Sequence, residues 1–173
     1  YIAYFQSYTN TYGDVDALRE KFLAAARRDD VAAVSIASRP DCFGPEVIDM
    51  IKDIIAVKPV WIELGLQTAN DRTAQLINRC YDISVYDETM NRLRELGVHI
   101  IVHMIIGLPG ETKEDMIDTV RYIVRSGANG IKLQLLHVLR GTVLEKMYEE
   151  VVFRALTFAE YADILCDCLK ELP

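Results

Sequence analysis

The residue best placed to do chemistry is a carboxylate inside an apolar run. Glu63 lies within Val60–Leu66, and the alternation of side chains along a strand puts Glu63 and Gln67 on one face. Burying a carboxylate costs free energy unless a partner compensates its charge, so we expect Arg39 or Lys132 beside Glu63. Charges held in this way often mark functional sites, and a structural ion pair is the alternative.

A histidine and a glycine turn follow on a later run. His103 lies in Val98–Ile106, and Gly107 and Gly110 come directly after it. The glycines permit a ligand to approach the backbone, and the start of a following helix favours anions. A histidine in a strand is more often a hydrogen-bonded core residue than a ligand, and a capped tight turn explains the glycines equally well.

The cysteines show no metal-binding pattern. Four are present, Cys42, Cys80, Cys166 and Cys168, and no CxxC or CxxxCxxC spacing occurs among them. We therefore expect no metal or iron–sulfur cluster bound to this chain alone. Reduced thiols in a cytoplasmic protein are the simplest interpretation.

The composition narrows the class of protein. The chain has 173 residues, 51% of them hydrophobic, which argues against disorder. No apolar run reaches the roughly 18 residues of a membrane span. A net charge of −7 argues against a large nucleic-acid surface. The chain opens on an apolar, aromatic run without an initiator Met or a signal peptide, so we expect a piece of a longer protein.

Strand-like runs recur at the spacing of one strand plus one helix. The runs are Tyr1–Gln6, Ala32–Ala37, Val60–Leu66, Val98–Ile106 and Gly130–Val138. Helix-start signals stand between and after them, at Asp14, Pro45, Ser84, Thr112 with Asp115, and Thr157 with Glu160. The pattern predicts one α/β domain over residues 1–173 with a parallel sheet. A closed eight-stranded barrel needs about 250 residues, so we expect an open sheet or a partial barrel.

Sites in parallel α/β folds lie at the carboxyl ends of the strands. The candidate binding residues at these ends are Gln6, Ser7, Thr9, Arg39, Glu63, Gln67, His103, Gly107 and Gly110.

Five segments in order resemble a subgroup of radical S-adenosylmethionine (radical SAM) proteins, relatives of the Elongator catalytic subunit and of coproporphyrinogen dehydrogenase. They are Phe5–Tyr12, Ser38–Cys42, Glu63–Thr68, His103–Glu111 and Lys132–Thr142. The resemblance implies the last five strands of a (β/α)6 partial TIM barrel. In that family, cysteines after the first strand hold a [4Fe–4S] cluster that cleaves S-adenosylmethionine (SAM) to a 5′-deoxyadenosyl radical. The resemblance therefore implies SAM and the cluster as cofactors of the longer protein. We expect neither to be bound to this chain alone, which should be inactive by itself.

The resemblance also assigns roles to residues. Gln6 to Thr9 would meet the SAM amino group, and Gln67 and His103 would lie near its ribose or methionine part. Gly107 to Gly110 would lie beside the adenine, and Arg39 is a weaker correspondence. The segment Asn78–Asp82 departs from the family at Cys80 and Tyr81, and the CxxxCxxC motif is absent.

Two other functions are compatible with the sequence. The chain could be a non-catalytic module that binds SAM or a partner, or a βα-barrel enzyme that uses the Gly107 turn for a phosphorylated metabolite. The substrate is unknown, and tRNA is suggested by distant analogy alone. The uncharged run Tyr1–Gln6 should form an exposed sheet edge, which predicts self-association or cover by a terminal segment.

Overall fold

The structure is a computed structural model that describes residues 1–173. Five strands form one sheet, in which each strand pairs in parallel with its neighbours in the chain. They are β1 Ile2–Phe5, β2 Ala33–Ser38, β3 Val60–Gln67, β4 His99–Ile106 and β5 Gly130–Leu135. The predicted parallel α/β sheet is confirmed. The largest difference in bounds is at β5, which ends at Leu135 rather than Val138.

Seven α-helices connect or follow the strands. They are α1 Val15–Ala26, α2 Pro45–Ile55, α3 Asp71–Leu76, α4 Ile83–Glu95, α5 Lys113–Arg125, α6 Val143–Glu149 and α7 Phe158–Lys170. A short 3-10 helix, Pro40–Cys42, follows β2. The short helices α3 and α6 carry no apolar stripe long enough to predict them from the sequence.

Side-chain caps begin most of these helices. Asp14 caps α1, and capping boxes form at the starts of α5 and α7, as the sequence predicts. The prediction for α4 was wrong by two residues. The carboxylate of Asp82 accepts the backbone N–H of Ser84, so Asp82 is the N-cap. A carboxylate is a strong acceptor for the free amides of a first turn.

One face of the sheet packs against the helices and forms the core. Its fully buried side chains alternate along the central strands and include Ile36, Ile62, Leu64, Ile100 and Val102. The residues between them face the opposite side. We call that side the lumen, because the sheet curls around it into a half-barrel.

A contact between side chains of the two outermost strands shows how strongly the sheet is curled. Lys132 on β5 places its Nζ 3.2 Å from the Oη of Tyr4 on β1. In a flat sheet the backbones of these strands would lie roughly 19 Å apart, at four inter-strand spacings.

The second side of β1 pairs with no strand, and Ile2 and Tyr4 are 46% and 41% exposed. No helix has the length and apolar character that crossing a membrane requires.

Candidate functional site

A transverse set of polar side chains, one from each strand, crosses the lumen. We call Tyr4, Ser35, Glu63, His103 and Lys132 the lumen layer. Glu63 lies at its centre: Ser35 Oγ donates to Oε1 at 2.9 Å, and Tyr4 Oη donates to Oε2 at 2.9 Å. His103 Nε2 lies 2.6 Å from Oε2, and Lys132 Nζ lies 3.6 Å from the same oxygen.

Strand register aligns the outer pairs of these residues, whereas Glu63 is offset by two positions on each side, since Ser35 pairs with Trp61 and Glu63 pairs with Ile101. Tyr4 pairs directly with Ser35, and His103 pairs directly with Lys132. Because side chains alternate between the faces of a strand, each of these residues emerges into the lumen while its chain neighbours enter the core. Glu63 is 8% exposed, so its charge is largely removed from water and depends on these partners.

Of the two cations expected beside Glu63, Lys132 is present and Arg39 is not. The Arg39 guanidinium instead forms a two-pronged pair with Asp41, at 2.9 and 2.8 Å, and donates to the carbonyl of Arg79. Asp41 lies only two residues away, so this local pair forms at little cost in chain entropy. The structure thus contradicts Arg39 as the partner of Glu63.

The titration of the layer follows from its contacts. Burial raises the pKa of Glu63, but hydrogen bonds from His103, Ser35 and Tyr4 more than offset this, and the pKa falls below its usual range. Burial lowers the pKa of His103 against the opposing effect of Glu63. Glu63 is therefore ionised and His103 is neutral near pH 7.

These charges fix the tautomer of His103. An ionised carboxylate can only accept hydrogen bonds, so the ring nitrogen facing it, Nε2, carries the proton. Nδ1 is then an acceptor, and no protein group donates to it. Burial lowers the pKa of Lys132, but contacts with Tyr4 and Glu63 leave it above its usual value, so Lys132 is a cation.

An apolar cavity lies beside this layer, at the carboxyl ends of β3 to β5. Its volume is about 400 Å³, and its lining includes Gln67, Ile105, Leu108, Pro109, Leu136 and Met147. The Oε1 atom of Gln67 is buried here without a hydrogen-bond partner. A buried polar atom left unpaired is rare in proteins, so this amide is available to a ligand.

The position of Gln67 depends on an irregular backbone. Gln67 has φ +68°, in the left-handed region, and pairing with β4 shifts between Gly65 and Gln67. Its side chain folds back over Gly65, where an added Cβ would lie 3.0 Å from Gln67 Nε2. Gly65 pairs with His103, and the amide of Gln67 lies over the side of Gly65 that a Cβ would occupy, so the Gln67 amide and His103 lie on the same side of the sheet.

The glycine turn after β4 borders the same cavity. Gly107 and Gly110 have φ +94° and +81°, which explains both glycines by conformation. A Cβ on Gly107 would lie 3.0 Å from the side chain of Leu156, whereas Gly110 has open space beside it. The space beside Gly107 is therefore filled by the side chain of Leu156 and is not free for a ligand.

The loop after β1 is further from these groups. Gln6 and Ser7 are exposed and Thr9 is half-buried, and none of the three makes a side-chain hydrogen bond. Asn10 holds the loop, because its amide donates to the carbonyls of Phe5 and Ala37. The structure leaves these three residues free and does not bring them into the lumen layer.

Two further polar groups, Glu111 and Arg79, were not predicted as site residues. Thr68 Oγ1 donates to Oε1 of Glu111 at 2.5 Å, Oε2 has no partner, and burial raises the pKa of Glu111 to about 7. Arg79 is 5% exposed and donates to the carbonyls of Thr68 and Tyr81. Tyr81 in turn donates to the carbonyl of Gly65 at 2.6 Å. The segment Asn78–Asp82, which differs from the family pattern at Cys80 and Tyr81, thus supports the strand that carries Gln67.

The cysteines do not form a metal site. Cys42 is half-buried, Cys80 and Cys166 are exposed, and Cys168 is buried. No three His, Cys, Asp or Glu side chains are grouped so that they could hold a metal ion. These residues do not fit a [4Fe–4S] cluster, which requires several thiolates at one place.

A parallel half-barrel with a polar lumen and a cavity at the carboxyl ends of its strands defines the class of partial βα-barrel proteins. Sequence comparison then gives the family. The family description "Radical SAM superfamily" matches residues 1–123, and "Radical_SAM C-terminal domain" matches residues 128–173. The chain belongs to the radical SAM superfamily.

Individual relatives agree. The chain is 43% identical to uncharacterized protein YtqA of Bacillus subtilis over all its 173 residues, which are 54% of YtqA. It thus spans about half the length of the curated relatives it matches. A more distant relative, 31% identical over 80% of the chain and 30% of its own length, is the tRNA uridine(34) acetyltransferase of Dehalococcoides mccartyi.

Solved structures show the same fold. Elp3 of Methanocaldococcus infernus superposes with a TM-score of 0.86 at 16% identity, over 99% of this chain and 45% of that one. Coproporphyrinogen III oxidase (HemN) of Escherichia coli, described as a radical SAM enzyme, gives 0.78 at 17% identity, over 98% and 39%. The prediction of a radical SAM partial barrel is confirmed.

Proposed function

We propose that this chain is the SAM-binding part of a radical SAM enzyme core. The observation that carries the proposal is the apolar cavity whose one buried, unpartnered polar atom is Gln67 Oε1. A purine needs flat apolar walls, and the adjoining ribose and amino acid need a few placed hydrogen-bonding groups. The cavity supplies such walls through Ile105, Leu108 and Leu136.

The remaining predicted binding residues keep their place in the proposal. Gly107 and Gly110 shape the rim of the cavity, and Gln6, Ser7 and Thr9 stand free at the carboxyl end of β1 for the SAM amino group. Arg39, engaged with Asp41, has the least capacity left for a ligand.

A [4Fe–4S] cluster, when bound to SAM, supplies the electron that yields the 5′-deoxyadenosyl radical. Residues 1–173 provide no group of cysteines for it, so we assign the cluster to another part of the longer protein. Because the cavity lies within residues 1–173, we propose that this chain alone binds SAM without cleaving it, in place of the expectation from the sequence that no cofactor binds to it. We further propose a cytoplasmic location, where free thiols persist.

A tRNA substrate draws support from the name of the acetyltransferase relative, and the net charge of −7 counts against a large RNA surface on this chain. A non-catalytic SAM-binding module is the alternative. Formation of 5′-deoxyadenosine by the anaerobically reduced longer protein would separate the two, because only the enzyme produces it.

The proposal is tested by titrating the 173-residue chain with SAM in a calorimeter. We expect saturable binding, and Gln67→Ala should weaken it about tenfold, the effect of losing one buried hydrogen bond. Gln75→Ala is the matched control, because Gln75 is exposed on α3 and lies outside the cavity. Absence of SAM binding, or equal affinities for the two variants, would contradict the proposal.

A further inference from the structure

The lumen layer is an unusual filling for a barrel. The interior of a βα-barrel is normally packed with layers of branched apolar side chains. Here the lumen carries a connected set of polar side chains, Tyr4, Ser35, Glu63, His103 and Lys132. Buried ion pairs of this kind stabilise a fold no better than apolar residues of the same volume. A role other than stability is therefore the better explanation of the layer.

Counting hydrogen-bonding capacity shows what the layer leaves free. Both oxygens of Glu63 are occupied, and the hydroxyl of Tyr4 donates to Glu63 while it accepts from Lys132. Two capacities remain on the nitrogen atoms of the layer. Lys132 has three N–H groups and two partners, and His103 Nδ1 has a lone pair and no donor.

The free donor and the free acceptor are side by side. His103 and Lys132 are direct partners across β4 and β5. Their side chains are 14% and 37% exposed, so both can be reached from the lumen. His103 does not line the apolar cavity, whereas Ile105, two residues further along the same strand, does. His103 thus belongs to the lumen rather than to the cavity assigned to SAM.

Charge limits what can bind. The carboxylate of Glu63 balances the ammonium of Lys132, and His103 and Tyr4 are neutral, so the layer has no net charge. An anion would leave the layer with an uncompensated negative charge away from water, which is costly. An uncharged group that accepts one hydrogen bond and donates another beside it fits without that cost.

We propose that the lumen layer binds the substrate of this protein through an uncharged amide or imide edge. The carbonyl oxygen would accept from Lys132 Nζ, and the adjacent N–H would donate to His103 Nδ1. The inference rests on the proposed function only in taking the lumen as the substrate side. It assigns Nδ1 to substrate instead of the SAM ribose, since one lone pair cannot serve both.

The test uses small planar probes on the 173-residue chain. 1-Methyluracil carries an imide edge, and 1,3-dimethyluracil differs in carrying a methyl group in place of the imide N–H. The chain has three histidines, so ¹⁵N-histidine labelling gives a spectrum in which the ring nitrogens of His103 can be assigned. We expect 1-methyluracil to shift the Nδ1 resonance of His103 saturably and 1,3-dimethyluracil to leave it in place.

Variants show which contact is responsible. Lys132→Met keeps the aliphatic stem and should weaken 1-methyluracil binding about tenfold, by loss of one hydrogen bond. Lys58→Met is the control, because Lys58 makes no side-chain bond. Equal shifts with both uracils, no shift with either, or binding of benzoate in place of 1-methyluracil would overturn the inference, the last by showing an anion site.

The two proposals fail separately. Gln67→Ala should weaken SAM and leave 1-methyluracil unaffected. If SAM does not bind but 1-methyluracil still shifts His103, the proposed function is wrong and the lumen site stands. If SAM binds and its titration shifts the Nδ1 resonance as an imide donor should, His103 serves the cofactor and the lumen site is wrong.

Discussion

Lys132 Nζ and Tyr4 Oη lie 3.2 Å apart although their residues are 128 positions apart and belong to opposite edges of the sheet. The contact joins the ends of the lumen layer across the half-barrel. Glu63, between them, accepts from both sides of the lumen. The layer is therefore a closed network, and the loss of its central acceptor affects every other member.

Glu63→Ala should destabilise the chain by about 3 kcal/mol, because it leaves three donors and the half-buried ammonium of Lys132 without their acceptor. Urea unfolding followed by circular dichroism measures the change. Ser35→Ala removes a single donor and should cost about 1 kcal/mol. Glu20→Ala, at an exposed position, is the control. A Glu63→Ala variant as stable as Glu20→Ala would show that the layer carries little stability.

Glu111 should make stability fall as pH rises. Its pKa of about 7 in the fold exceeds the roughly 4.3 of an unfolded glutamate, so the folded state binds the proton more tightly. Its contribution is full below about pH 4 and is lost as pH rises through 7.

Glu111→Gln removes this dependence. The difference in unfolding free energy between the parent chain and Glu111→Gln should change by up to about 3 kcal/mol between pH 4 and 8, with the variant gaining at high pH. Glu95→Gln, exposed on α4, controls for the loss of one charge. A difference that stays constant with pH would place an ordinary pKa on Glu111.

Replacement of Gln67 by glycine should have opposite effects on stability and binding. Its φ of +68° strains a residue with a side chain, and Gln67→Gly should gain about 1 kcal/mol in unfolding free energy. The same change removes the unpartnered amide and should weaken SAM as Gln67→Ala does. Val151→Gly, at φ +57° on an exposed residue outside the cavity, relieves strain without touching that amide. Parallel behaviour of both variants in SAM titrations would argue against a role for Gln67.

The uncovered side of β1 should lead to self-association. Tyr1, Ile2 and Tyr4 are 89%, 46% and 41% exposed beside unpaired backbone groups, an arrangement that favours pairing with another chain. Light scattering after size exclusion should show dimers or larger species at high concentration, and Ile2→Lys should reduce them. A strict monomer at high concentration would refute the expectation.

The sequence predicts the sheet well because each strand coincides with a local run of apolar residues. The helix starts were predicted where a side chain alone can cap, and Ser84 was wrong because Asp82 supplies a stronger acceptor two residues earlier. Lys132 was predicted beside Glu63 from strand position. Tyr4 and Ser35 were not, because their level in the lumen depends on register and curl, which the sequence does not display.

The strand order has a consequence for how the molecule assembles. Each strand pairs only with those next to it in the chain, so the sheet can grow from the amino end one βα unit at a time. Closing the 128-residue loop between Tyr4 and Lys132 carries the largest entropy cost of the lumen contacts. We expect the contact between Lys132 and Tyr4 to form late during synthesis, when β5 pairs with β4. We also expect it to break early when the chain is unfolded by denaturant. The binding surface would then be complete only after β5 has been synthesised, because a shorter nascent chain lacks the ammonium of Lys132.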